Sequence, residues 1–172
     1  AAASASSTKH VICTPGGKDA SLVALDKHNG SVVWTSRGFS EPAAYCSPLL
    51  VVRGGSRQVV TITEKHVVGL DVETGRLIWR QSQDPEAKDP CHAITPVYSD
   101  GVIYVTSGHG QGGQLLELSP DGQQIRQKWT DQTLNSNFGG VVAVAGYLYG
   151  SNSKGMWVCL DIKTGRVMYK TK

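Results

Sequence analysis

The sequence has little of what marks a membrane span, a nucleic-acid site or a metal site. Its best apolar stretch, at 141–146, is far shorter than the roughly 20 residues that cross a bilayer, so we expect no membrane span. A net charge of +3 without a long basic cluster excludes a nucleic-acid footprint. The cysteines stand singly, without the C-x-x-C spacing of zinc or redox motifs. Their even number leaves buried thiols and disulfides both open: Cys13, Cys46, Cys91 and Cys159.

Catalytic motifs are missing as well. There is no G-x-S-x-G elbow, and no serine stands beside a recognisable His and Asp arrangement, so nothing supports nucleophilic hydrolysis. The glycine-rich stretch at 108–113 resembles a dinucleotide-binding loop, yet no helix follows it to bind a phosphate. We interpret it as a flexible loop between two strands that carries a solvated His109, and a ligand or metal role for His109 is the less favoured interpretation. The other histidines lack metal-ligand spacing, and we expect no metal site.

What the chain does contain favours short strands. Its 172 residues suffice for a hydrophobic core, 40% of them are apolar, only 18% are charged, and glycine occurs 20 times. Valine, threonine, serine and tyrosine are abundant, a composition typical of strands joined by tight turns. We therefore predict a single all-β domain.

One phrase recurs along the chain. VALDKHNGSVVW at 23–34 matches VGLDVETGRLIW at 68–79 without a gap, and VCLDIKTGRVMY at 158–169 repeats it with tyrosine in place of the last tryptophan. A degenerate copy, LELSPDG at 116–122, is followed by Trp129. The closing aromatic residues lie 45, 50 and 40 residues apart. A repeat of about that length with four strands per unit is typical of β-propeller blades.

The repeat divides the chain into about four blades, at 10–37, 38–84, 85–133 and 134–172. Turn residues predict four antiparallel strands in each of the last three blades, the first of these strands beginning near residues 47, 96 and 141. The first blade shows strands only from residue 10 onward and no convincing innermost strand. We expect residues 1–9 to be a disordered leader or a cloning remnant.

Two residue classes within the repeat have structural explanations. The glycines supply the positive φ of the last hairpin in each blade, and the preceding aspartates can accept hydrogen bonds from turn amides: Asp26, Gly30, Asp71, Gly75, Gly122, Asp161 and Gly165. The closing aromatic residues are expected to pack between neighbouring blades and to cover a turn of the next one: Trp34, Trp79, Trp129 and Tyr169. We assign both classes to the fold rather than to chemistry.

With these residues in place, the chain from His10 onward resembles the tryptophan-docking repeats of quinoprotein dehydrogenases and their PQQ-like relatives. The stretches at 12–19, 139–142 and 146–150 are most similar to bacterial exported PQQ-like repeat proteins. The resemblance implies a propeller of about seven or eight blades and a periplasmic or otherwise exported location. In the enzymes of this family it also implies PQQ held by tryptophan, adjacent cysteines, calcium and a catalytic aspartate.

The parts of such a quinone site are not evident in the sequence. There is no Cys-Cys pair and no acidic and amide cluster that would give calcium its roughly six or more oxygen ligands. We therefore expect no cofactor, and a non-enzymatic propeller that offers a rigid surface to a protein or a small ligand. The alternative is part of a dehydrogenase dependent on PQQ and calcium, whose cofactor site needs blades absent here.

A functional signal remains where the chain enters each innermost strand. Aligning the starts of these strands places Ala44, His92 and Asn137 at one level, and Tyr45, Ala93 and Phe138 at the next. That level borders the mouth of the central channel, where ligands and partners usually dock. Our candidate binding residues are thus Tyr45, His92, Asn137 and Phe138, and the alternative is that they only fill the narrow end of the channel.

A missing innermost strand in the first blade would also leave an open edge. Open edges invite pairing with another copy. We therefore hypothesise that the chain is part of a longer propeller, or that two copies form a homodimer that completes an eight-bladed one.

Overall fold

The structure, a computed structural model, describes residues 4–6, 9–83 and 92–172. All regular elements in this part of the chain are strands, which form four-stranded antiparallel sheets. The sheets number four, and within each the strands follow one another in chain order, as in propeller blades. The predicted all-β propeller with about four blades is confirmed.

The strands are numbered in chain order. The first sheet contains β1 (Ser4–Ser6), β2 (His10–Cys13), β3 (Val23–Asp26) and β4 (Val32–Thr35). The second contains β5 (Leu49–Arg53), β6 (Ser56–Ile62), β7 (His66–Asp71) and β8 (Leu77–Ser82). The third contains β9 (Val97–Ser99), β10 (Val102–Ser107), β11 (Gly112–Leu118) and β12 (Ile125–Asp131). The fourth contains β13 (Val141–Val144), β14 (Tyr147–Ser151), β15 (Trp157–Asp161) and β16 (Val167–Thr171).

The prediction that the first blade lacks an innermost strand is wrong. Residues 4–6, which we had assigned to a disordered leader or cloning remnant, form β1 and pair antiparallel with β2, Ala5 opposite Ile12. Small polar residues can occupy such a position because β2 supplies the hydrogen bonds of the ladder. The open edge that motivated pairing with a second copy is therefore absent from the first sheet.

Hydrophobic residues fill the spaces between successive sheets. Side chains alternate between the two faces of a strand. In a middle sheet, the side chains on one face therefore pack against the preceding blade, and those on the other face pack against the following blade. In β10, Ile103 and Val105 pack towards the second sheet, whereas Tyr104 packs towards the fourth. A third cluster joins the first and second sheets through Ile12, Ala24 and Leu70, among others. The core is thus divided into interfaces between neighbouring blades.

The repeated aromatic residues connect these interfaces. The Trp34 indole donates a hydrogen bond to the Val72 carbonyl at 3.1 Å, and its ring lies against Gly75 of the second blade. Trp129 repeats both contacts one interface later, with the Ile162 carbonyl at 3.0 Å and with Gly165. Both turn glycines have a positive φ, near +70°, so a side chain there would add backbone strain to a steric clash.

The turns themselves are fixed by the repeated aspartates. Asp26 accepts hydrogen bonds from the amides of His28 and Asn29, and Asp71 accepts them from the amides of Glu73 and Thr74. In the fourth blade Asp161 accepts one from the Thr164 amide. These bonds explain why short polar residues precede the turn glycines.

The interface between the second and third blades differs. In the degenerate turn of the third blade the glycine stands one residue earlier than in the other turns, and the Trp79 indole donates instead to the side-chain oxygen of Gln58 at 2.6 Å. The amide nitrogen of Gln58 in turn donates to the Gly122 carbonyl at 2.5 Å. Gln58 is fully buried, and it restores through a side chain the link that the other interfaces make directly.

The cysteine alternatives are resolved for the described residues. Cys13, Cys46 and Cys159 are free thiols, and burial raises the pKa of Cys46. Cys91 lies outside the described residues. Within the ranges that the structure describes, no helix is long and apolar enough to span a membrane.

Candidate functional site

The candidate residues lie at one end of the sheets. In a four-stranded antiparallel blade, the connection into the innermost strand and the turn between the second and third strands lie at the same end. The connections before β5, β9 and β13 carry Tyr45, His92, Asn137 and Phe138. The turn between β10 and β11, at 108–111, belongs to this end as well. All candidate binding residues therefore lie at this end of the sheets.

Two of the candidates are joined through the backbone. The Tyr45 amide donates a hydrogen bond to the His92 carbonyl at 3.1 Å, which connects the segments that enter the second and third blades. The side chains differ, because Tyr45 is 69% exposed whereas His92 is 1% exposed. His92 is therefore part of the interior at this end, and Tyr45 is part of its surface.

His92 is a buried histidine with an unused ring nitrogen. Its Nε2 has no hydrogen-bond partner among the described residues. Burial lowers the pKa of His92, while a hydrogen bond to the backbone of Glu64 and the charge of Glu64 oppose this effect. The ring is thus neutral at physiological pH, and a neutral imidazole that donates from one nitrogen accepts at the other.

His92 lines a cleft of about 270 Å³ between the second and third blades. We name it the glutamine cleft because amide side chains make up much of its wall. Its lining includes the ends of β8 and β10, the start of β11 and part of β12. The polar side chains in the lining are Ser82, Gln83, His92, Thr106, Ser107, Gln111, Gln114, Gln127, Thr130 and Gln132.

The described lining of the glutamine cleft contains neither carboxylates nor cationic side chains, so this part of the wall carries no formal charge when His92 is neutral. The Gln114 amide donates to the Gln83 side-chain oxygen at 2.9 Å across the two blades. The Thr106 hydroxyl bonds to the carbonyls of Gly112 and Leu134, so it braces the wall. Amides and hydroxyls both donate and accept hydrogen bonds, and such a wall suits a neutral polar ligand.

A buried acid supports the floor behind this wall. The Tyr104 hydroxyl donates to Asp131 at 2.6 Å, and the other Asp131 oxygen accepts from the amides of Thr133 and Leu134 at 2.8 and 2.7 Å. Burial, and then the neighbouring Asp131 carboxylate, raise the pKa of Tyr104 far above its usual range. This network fixes the start of the connection that leads from the third to the fourth blade.

Asn137 holds the turn between β10 and β11. Its side-chain oxygen accepts a hydrogen bond from the His109 amide at 3.0 Å, and Asn135 accepts from the Gly110 amide at 3.3 Å. The predicted loop at 108–113 is shorter than expected, since Gly112 and Gly113 already belong to β11. His109 is exposed and has a φ of +57°, so the asparagine bonds secure a strained turn.

The candidates do not all meet in one site. Phe138 is 82% exposed, and neither Phe138, Tyr45 nor Asn137 lines the glutamine cleft. The sequence reasoning missed the glutamines of the cleft wall. A signal was available in the number of glutamines between residues 111 and 132. Solvated surfaces carry the same residue type, however, and only the pairing of the sheets brings these side chains together.

The described residues do not supply the groups that would bind PQQ and calcium. No group of three or more His, Cys, Asp or Glu side chains that could hold a metal is found in 4–6, 9–83 and 92–172. PQQ carries carboxylates, whereas no cationic side chain is found among the described residues that line the glutamine cleft. We derive no chemistry through this cofactor.

Comparison with solved structures shows the fold. BamB from Moraxella catarrhalis is 20% identical, superposes with a TM-score of 0.74 and is matched over 98% of this chain and 50% of its own. A quinohemoprotein alcohol dehydrogenase from Comamonas testosteroni is 16% identical, with a TM-score of 0.63 over 99% of this chain and 34% of its own. A europium-containing methanol dehydrogenase is 15% identical, with a TM-score of 0.63 over 97% and 40%.

The matched BamB chain is thus about twice as long as this one. No curated protein matches the sequence. The family described as outer membrane protein assembly factor BamB matches residues 3–171, almost the whole chain. Together with the tryptophan-docked blades, this match shows that the chain belongs to the BamB-like family of PQQ-like repeat β-propellers.

Proposed function

We propose that this chain is a non-enzymatic, exported propeller module that binds an uncharged, extended peptide segment of a partner protein in the glutamine cleft. The observation that carries the proposal is the buried Nε2 of His92, which has no partner in the described residues and adjoins a cleft whose described lining is uncharged. A neutral imidazole nitrogen accepts a hydrogen bond, so the ligand must supply an N–H or O–H donor.

A peptide backbone meets this requirement better than a charged ligand does. It offers N–H and C=O groups at regular spacing, and the amide side chains of Gln83, Gln114 and Gln127 can pair with both. A charged ligand would lose its hydration without gaining a counter-charge from the described residues of the cleft wall. The description of the matched family as a protein assembly factor supports a protein as the partner.

Isothermal titration calorimetry tests the proposal. The probe is an uncharged peptide of alternating Thr and Gln, compared with the same sequence carrying N-methylated backbone amides. We expect binding of the first peptide and little binding of the second, because N-methylation removes the backbone donors. His92→Leu should weaken binding about tenfold or more, because leucine removes the buried acceptor and its hydrogen bond.

His109→Leu is the matched control, since it removes an exposed histidine near the same end of the sheets and should leave the affinity unchanged. The proposal fails if both histidine variants bind as tightly as the parent protein. It also fails if a neutral glucose oligosaccharide binds in the cleft and neither peptide does.

A further inference from the structure

A second cavity lies where the second blade meets the third, at the end of the sheets opposite to the glutamine cleft. Its volume is about 450 Å³, and its described lining comes from the end of β5, the turn between β9 and β10, and the turn between β11 and β12. The second and third blades each pack against a blade on either side. We call this cavity the arginine pocket, because Arg53 and Arg126 line it together with Asp100 and Glu117.

Arg53 brings an unused donor to this pocket. It is the last residue of β5, and its Nε is buried without a hydrogen-bond partner among the described residues. The ion pairs of the described residues do not include Arg53 either. A buried N–H of a charged group costs free energy when it has no acceptor. An acceptor from a ligand would remove this cost.

Gly101 fixes the position of the Arg53 guanidinium. A Cβ at Gly101 would lie 2.6 Å from the Cζ of Arg53 and 2.8 Å from its Nη2, so the guanidinium lies against the glycine backbone. The adjacent turns are in contact as well, since a Cβ at Gly54 would overlap with the Pro120 carbonyl. The guanidinium is therefore held in place before a ligand binds, which reduces the entropic cost of binding.

The other charged groups at the pocket leave one positive charge unbalanced. Glu117 accepts hydrogen bonds from the Arg126 Nε at 2.6 Å and from the Lys128 Nζ at 3.2 Å. Arg126, and then Lys128, hold the pKa of Glu117 below its usual range, so this carboxylate stays ionised. Asp100 is exposed and takes part in none of the ion pairs of the described residues. With Arg53, three cations thus stand against two carboxylates.

The chemistry of the pocket favours a monovalent organic acid. A guanidinium presents N–H donors in a planar fork that matches the two oxygens of a carboxylate. The carboxylates of Asp100 and Glu117 repel an anion in proportion to its charge, which disfavours a doubly charged phosphate. The described lining also contains apolar side chains: Val102, Leu118, Pro120 and Ile125.

We propose that the arginine pocket binds the carboxylate of a small organic monoacid with an apolar body, and that Arg53 is its anchor. The carboxylate accepts hydrogen bonds from the Arg53 guanidinium, and the apolar body packs against the half-buried Val102 and Ile125. The pocket and the glutamine cleft share no lining residue. Binding here is therefore independent of the peptide binding proposed there.

Nuclear magnetic resonance of the 172-residue protein tests the site. The reporter is the Nε–H resonance of Arg53, which is identified by its absence in Arg53→Met. The probes are benzoate and benzamide, which share a ring and a similar shape but differ in charge. We expect benzoate to shift the resonance until the site is saturated, and benzamide to leave it unchanged, because only the carboxylate neutralises the guanidinium.

Variants assign the binding to these residues, with the backbone amide resonance of Gly101 as the reporter. Arg53→Met should weaken benzoate binding about tenfold or more, because it removes a charge-assisted hydrogen bond. Arg57→Met is the matched control, since Arg57 pairs with Glu73 and does not line the pocket, and it should leave the affinity unchanged. Asp100→Asn should tighten binding, because it removes a repelling carboxylate and asparagine tolerates the φ of +46° at this turn.

The opposite effects of the two pocket substitutions separate ligand binding from a structural role of Arg53. Circular dichroism spectra and melting curves verify that all variants fold. The proposal is overturned if benzamide binds as tightly as benzoate, or if Arg53→Met and Arg57→Met have equal affinities for benzoate. It is equally overturned if Asp100→Asn weakens binding, or if inorganic phosphate saturates the Arg53 resonance and benzoate does not.

Discussion

At the scale of single residues, the turn glycines have two separable requirements. Gly75 needs a positive φ of +70°, and it also needs space, because a Cβ would lie 2.4 Å from the ring of Trp34. Gly55 has a similar φ of +80°, yet no atom lies within 4 Å of its Cβ position. Comparison of the two positions therefore separates backbone strain from the docking contact.

We expect Gly75→Ala to lower the free energy of unfolding by about 1–3 kcal/mol more than Gly55→Ala does, the usual cost of overpacking a fitted site. Both variants share the strain of a left-handed alanine, so their difference reports the contact with Trp34. Urea unfolding followed by circular dichroism measures this difference in the free energy of unfolding. Equal losses would mean that the indole moves aside freely.

His92 should make stability depend on pH. Burial lowers the pKa of His92 in the folded protein below its ordinary value of about 6.5. At a pH between these two pKa values, the unfolded chain therefore binds a proton at His92 that the folded chain does not. The contribution of His92 to stability is therefore complete above about pH 6.5 and is lost progressively as the pH falls below it. Urea unfolding across this range measures the effect.

His92→Gln supplies the comparison, because it retains every other titrating group, including Glu64. We expect the stability difference between the parent protein and this variant to shrink on acidification. A difference independent of pH would show that His92 can be protonated in the folded protein without cost.

At the scale of the structural element, the interface between the second and third sheets depends on a glutamine bridge. Gln58→Leu leaves the Trp79 indole and the Gly122 carbonyl without their partner. We expect a loss of about 1–3 kcal/mol, the cost of unsatisfied buried polar groups. Gln124→Leu, at an exposed position of the following hairpin, serves as the control and should change stability little.

A double-mutant cycle makes the test specific. In the Gln58→Leu background, Trp79→Phe removes an indole N–H that is already unpaired and should cost less than it does in the parent protein. Additive effects of the two substitutions would contradict a direct bridge.

The strands were largely predictable because the repeat marks their turns. β13 begins at Val141, as the sequence indicates, and β9 begins at Val97, next to the predicted residue 96. β1 was missed because Ser4–Ser6 have no hydrophobic alternation, and their strand state comes from pairing with β2. Here hydrogen bonding to a distant strand determines the strand conformation, because the local propensity of these residues does not.

The candidate site was less predictable. Alignment of the blades places His92 just before the start of an innermost strand. Neither the burial of His92 nor the exposure of Phe138 follows from that position. The role of Tyr45, His92, Asn137 and Phe138 in binding stays a prediction. The wall of the glutamine cleft comes from two sheets, and no sequence period connects residues such as Gln83 and Gln114.

At the scale of the whole molecule, the protection of backbone amides from hydrogen exchange should decrease from the middle strands of each sheet towards the outermost ones. β6, β7, β10 and β11 are buried along most of their length and pair on both sides, whereas β16 is exposed throughout and pairs on one side. We expect hydrogen exchange, measured by mass spectrometry, to be slowest in the first group and fastest in β16, since local opening there breaks few contacts. Equal protection in β16 and β11 would contradict this order.

The glutamine bridge also has a consequence for the order of the blades. The first and third interfaces use the same direct connector, an indole bonded to a turn carbonyl, so the parts on either side of them are interchangeable in principle. The second interface is made only when a blade with Gln58 precedes one whose turn glycine is placed like Gly122. Shuffling, duplicating or recombining these repeats should therefore succeed only when the second and third blades are inherited together as one unit.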